Sequence, residues 1–70
     1  MVEKTVEITG SSTNSIEEAV KIAVARAGVT LSAIHTAHVE DISAMVADNN
    51  LVRWKVKVKI TFTVHDQLHE

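Results

Sequence analysis

From Val52 to Val64 the chain reads VRWKVKVKITFTV, with every even position apolar and every odd position polar. The even row is Val52, Trp54, Val56, Val58, Ile60, Phe62 and Val64, and the odd row opens with Arg53, Lys55, Lys57 and Lys59. A period of two sends successive side chains to opposite faces of a strand, so this run predicts one long strand with an apolar face and a cationic face. At roughly 3.3 Å per residue such a strand spans about 43 Å. Any fold for this chain must cover the first face and balance or use the second.

Val2 to Thr9 alternates, with Val2, Val6 and Ile8 on one side and Glu3, Glu7 and two threonines on the other, which predicts a half-buried strand. Gly10 and SSTN break it. Ser15 to Glu18 fits a capping box opening a helix, with Glu17 and Glu18 placed at the positive end of its dipole. The helix is expected to run to about Ala27, with Gly28 capping it in a left-handed conformation. Ile16, Ala19, Val20, Ala23, Val24 and Ala27 share its apolar face, while Ile22 and Ala25 fall outside that stripe. A second strand of mixed character is expected from about Ala33 to Val46, a turn at ADNN, and a frayed polar tail over HDQLHE.

The order β-α-β-β predicts an α+β fold in which residues 1–70 form one domain, with a three-stranded antiparallel sheet wrapped on one helix. The long third strand belongs at the centre, giving the order 1-3-2. In that order Glu3 and Glu7 are expected to share a face with Lys57 and Lys59, each pair contributing roughly 0.2–1 kcal/mol.

A helix ending near Ala27 spans only about 20 Å, enough for half of the apolar face. The chain has only 70 residues and no cysteine, so neither a large core nor disulfides can stabilise it. Covering a few bare side chains at roughly 25 cal/mol per Å² is worth several kcal/mol, comparable with the stability of a small domain. Other copies of the chain are therefore expected to cover Val52, Trp54 and Val56, which makes the protein an obligate homo-oligomer.

Several function classes find little support. A formal charge of −2 gives no global attraction to nucleic acid, and alternation places Trp54 on the other face from every cation of the run. A single-strand platform needs both on one surface. No apolar run approaches a membrane span, and MVEKTVEITG lacks the apolar block of a signal peptide, so a cytoplasmic protein without a membrane partner is expected. No cysteine and no nucleophile motif point to catalysis, and a non-enzyme is expected. His35 and His38 form H-x-x-H, but on a regular strand residues three apart face opposite ways. Glu40, Asp41 and Asp48 supply oxygen ligands suited to a hard cation such as calcium, though only a site assembled between subunits would collect enough of them.

Stretches from all four expected elements together resemble the dodecins: VEITGSS leaving the first strand, SIEEAV and ARAG on the helix, HTAHVEDIS on the second strand and RWKVKVKITFTV on the third. The resemblance implies a hollow homododecamer that holds a small-molecule ligand, a flavin (FMN or riboflavin) or a related nucleotide. It also implies a stacking tryptophan on strand two and a hydrogen-bonding glutamine on strand three. Those positions hold Thr36 and Lys55 here. Thr36 has no π-face, and Lys55 donates hydrogen bonds but cannot accept them. The expected site is then a polar pocket of Thr36, Lys55, Asp41 and Lys57 for a small anionic or nucleotide-like ligand, with the flavin stack degraded. The branch of the family lacking that tryptophan implies calcium binding as the alternative, with Asp41 and Glu40 as ligands, or a purely structural shell.

Overall fold

The computed structural model describes residues 2–64, in the order β1 (Val2–Ser12), α1 (Ile16–Thr30), β2 (Ile34–Ala47) and β3 (Asn50–Val64). The two pairs of His and acids in the tail beyond Val64, expected to fray, lie outside the described residues. β3 is central, and both neighbours pair with it antiparallel, giving the order β1-β3-β2. The α+β, β-α-β-β arrangement is the one the alternation predicts.

The core is where the helix crosses the sheet. Val56, Val58 and Ile60 are fully buried, Phe62 nearly so, and they meet Ala19, Ala23 and Ala27 of α1. The helix offers alanines to the sheet and sets Ile16, Val20 and Val24 along the margins. Small side chains allow close approach, and Gly10 of β1 extends the same logic. A Cβ there would run into the carbonyl oxygen of Ala19 and lie 3.0 Å from the Ala23 Cβ.

The start of α1 follows the capping expectation in part. The Ser15 hydroxyl accepts from the Glu18 amide at 3.0 Å, but Glu18 does not close the reciprocal half of the box. Its carboxylate instead accepts from the Ser12 hydroxyl and from Asn14 Nδ2 at 2.9 Å. Ser12, buried at the end of β1, accepts in turn from the Asn14 and Ser15 amides. These hydrogen bonds hold the Glu18 carboxyl below its ordinary pKa, the Ser12 hydroxyl contributing most. They tie the strand end to the helix start.

The far end of α1 departs from expectation. Gly28 is not a left-handed cap: the helix continues to Thr30 and Leu31 closes it, its amide donating to the Ala27 carbonyl at 2.9 Å. The left-handed residue is Ala33 (φ 57°), which turns the chain into β2. A glycine can end a helix but need not, since its cost inside one is only about 1 kcal/mol. The ADNN turn forms as expected, with Asp48 and Asn49 at φ 52° and 65° between the paired residues Ala47 and Asn50. Two consecutive left-handed residues make the tight hairpin turn whose twist matches the flanking strands.

The sheet outruns the helix. The described chain measures 56 × 18 × 13 Å; the β2–β3 hairpin carries Val46, Leu51 and Val52 exposed beyond the helix, and Val39 and Ile42 exposed on β2 beside the covered Val58 and Val56. Of the expected interface residues, Val52 is exposed and Trp54 half-buried. Val56 needs correction. At 0% exposure it is core within one protomer and has no side-chain surface left to offer a partner. The helix reaches one row further along β3 than the expected division allowed.

Candidate functional site

The cationic face is built by β3 and read through its cross-strand neighbours, because directly paired residues share a face of the sheet. Lys59 stands between Glu7 and His38, Lys57 between Thr9 and Asp41, and Lys55 between Ser11 and Ser43. Arg53 faces Met45. Negative charge thins along this series toward the hairpin. Lys59 makes an ion pair with Glu40 at 3.3 Å, while neither Lys55 nor Lys57 makes one among the described residues.

The expected balancing of lysines by β1 needs revision accordingly. Glu7 does lie opposite Lys59, but Thr9 faces Lys57, Glu3 faces Thr63, and the acid that reaches Lys59 comes from β2. Glu3 and Glu7 share the cationic face with Lys57 and Lys59 as expected, but only Glu7 lies directly opposite one of them.

β2 explains itself once its irregularities are seen. Its pairing skips residue 35, between Ile34 opposite Phe62 and Thr36 opposite Thr61. It skips again at residue 40, between Val39 opposite Val58 and Asp41 opposite Lys57. Each extra residue is a β-bulge, which locally resets the alternation. The two bulges keep Ile34, Ala37, Val39, Ile42 and Ala44 on the core side and send the doubled polar pairs His35-Thr36 and Glu40-Asp41 to the cationic face. The expectation that His35 and His38 face opposite ways is thereby overturned, since both join the polar face. The histidine ring is used otherwise: Nε2 lies 3.1 Å from the Glu3 carboxylate and Nδ1 3.1 Å from the Thr36 hydroxyl. In the neutral ring Nε2–H donates to Glu3, and Nδ1 then accepts from Thr36.

Within this face the backbone leaves a depression of about 310 Å³ lined by Thr9, Asp41, Ser43, Met45, Lys55, Val56 and Lys57. Three of the four expected ligand-binding residues, Lys55, Asp41 and Lys57, line it together. Thr36 does not; it stands opposite Thr61 with its hydroxyl on His35. Thr9 and Ser43 were not anticipated, although their places opposite Lys57 and beside Lys55 follow from the register once it is known. A third break in register, at Met45/Val46, leaves Val52 without a partner opposite. The Leu51-Val52 pair, two adjacent apolar residues where alternation allows one, was its signal.

Chemically the depression gathers two ammonium groups and two hydroxyls against one carboxylate, with a thioether at its edge. The calcium reading gains little from this geometry. The second bulge does bring Glu40 and Asp41 to one face, but Lys59 engages Glu40. Among the described residues no group of three or more His, Asp or Glu side chains is placed to hold a metal ion. Among them, too, no helix is long and apolar enough to cross a membrane.

Comparison with known proteins agrees with this architecture. A search of curated protein sequences finds no match. Among solved structures, a dodecin from Streptomyces coelicolor superposes with a TM-score of 0.88 at 26% identity, covering 94% of this chain and 94% of that one. A point mutant of the Thermus thermophilus dodecin gives 0.87 at 28% identity, over 93% and 97% of the two chains. A dodecin from Streptomyces davaonensis gives 0.87 at 22% identity over 93% and 96%, a likeness of fold. The profile of the family described as Dodecin matches residues 2–65, and by that match the chain belongs to the dodecin family.

Proposed function

We propose that this non-enzymatic dodecin assembles into a homododecameric shell that binds or sequesters a small anionic or nucleotide-like ligand on its cationic sheet face. The observation that carries the reading is the depression in which Lys55, Lys57 and Asp41 meet hydroxyls from β1 and β2. It lies on the face turned away from α1, so ligand and helix do not compete for the sheet. Repetition of Arg53, Lys55 and Lys57 around symmetry axes concentrates positive potential inside a shell. The relatives are named dodecins, a family of flavin-binding proteins, but the position of a stacking aromatic is held by Thr36, outside the depression. Base–aromatic stacking is worth roughly 1–3 kcal/mol per ring, so the flavin arm of the family's binding is weakened here.

The test is to denature the purified assembly and identify what it releases. A colourless protein that liberates a stoichiometric anionic metabolite supports the reading. Strong flavin absorbance in the native protein overturns the degraded stack, and release of nothing, with no uptake of added nucleotides, reduces the shell to a structural role. Calcium is the runner-up, and calorimetric titration with an Asp41→Ala control decides it: heat that the substitution abolishes establishes a metal site, and no heat at millimolar calcium removes one.

A further inference from the structure

Resting on the ligand-binding reading above, we infer that the ligand class is phosphomonoesters, with Lys55 and Lys57 holding the phosphate and Asp41 holding a hydroxyl or N–H donor elsewhere on the molecule. The argument is a census of the depression. Its donors come from three strands: Thr9 from β1, Lys55 and Lys57 from β3, and Ser43 from β2. Donors converging from several directions suit a tetrahedral anion with three terminal oxygens better than a planar carboxylate, which a guanidinium fork matches instead.

Charge points the same way. Lys59 has Glu40 and Lys21 has Glu17, whereas Lys55 is flanked by two serines and Lys57 by a threonine and Asp41. A phosphate ester near neutral pH carries close to two negative charges, enough to meet both lysines. Asp41 then rejects a second anion at its own position and accepts a hydrogen bond there, which selects a ligand with a donor group. Met45 gives the rest of the molecule an apolar contact, and its thioether adapts to the ligand's shape.

Equilibrium dialysis on the assembled protein with two matched pairs, AMP against adenosine and FMN against riboflavin, isolates the phosphate. The phosphorylated member of each pair should bind about tenfold or more tightly, and its advantage should shrink as salt rises. In the Lys55→Gln/Lys57→Gln variant, shown by sedimentation to assemble as the parent does, the two members should bind alike. If the wild-type protein binds both members of each pair equally, the inference falls while the ligand-binding reading stands. If it binds neither member of either pair and takes up no inorganic phosphate, both fall. The wild-type comparison decides even where the double variant fails to assemble.

Discussion

Gly10 and Glu18 show how much of this small domain depends on single side chains at the crossing of β1 and α1. Gly10 is required by close approach rather than by its backbone angle, because the helix backbone occupies the space of a Cβ. Gly10→Ala is expected to cost about 1–3 kcal/mol, the range for overpacking, read as a lower urea midpoint. Glu18 works through charge. Its folded pKa lies below the ordinary 4.5, so its contribution is complete above that value and is lost as pH falls through the lower folded one. The difference in urea midpoint between the wild type and Glu18→Gln should therefore narrow as pH drops below about 4.5; a difference that stays constant would remove this account of the cap. The capping pattern was legible in the sequence, but the use of Ser12 was not, because nothing local shows that a strand end will reach a helix start six residues later.

At the scale of elements, β3 was readable almost residue by residue because period two is uninterrupted from Arg53 to Val64. β2 was not, and the reason is specific. The pairs His35-Thr36 and Glu40-Asp41 each place two polar residues where alternation permits one, which is how a bulge is written in sequence. Taken as a regular strand, β2 separates His35 from His38; with the bulges in place they share a face. Of the candidate site, Lys55, Lys57 and Asp41 could be brought together from alternation and resemblance, while Thr9 and Ser43 needed the register. Thr36 was assigned by resemblance, and the depression forms without it. The hairpin offers a direct test of the turn. With Asn49 at φ 65°, Asn49→Gly relieves a left-handed residue and completes the favoured Asp-Gly turn, so a gain of about 0.5–1 kcal/mol is expected in thermal or urea unfolding. A loss would mean that Asn49 does more than turn the chain.

For the whole molecule the governing fact is a disparity of lengths. α1 covers Val56 to Phe62 but leaves Val39 and Ile42 exposed on β2 beside them, and the hairpin continues past it with Val46, Leu51 and Val52 exposed, Val46 at 63%. A contiguous apolar surface of this kind marks an interaction site in soluble proteins, and a 70-residue chain has little stability to spare without covering it. In the proposed assembly the sibling chains supply that cover, and the cationic face turns toward the shared interior. Sedimentation velocity on the purified protein at micromolar concentration tests this most directly. The account predicts a single species near twelve times the 7.6 kDa chain mass, persisting on dilution. A folded, stable species sedimenting as one chain would contradict it.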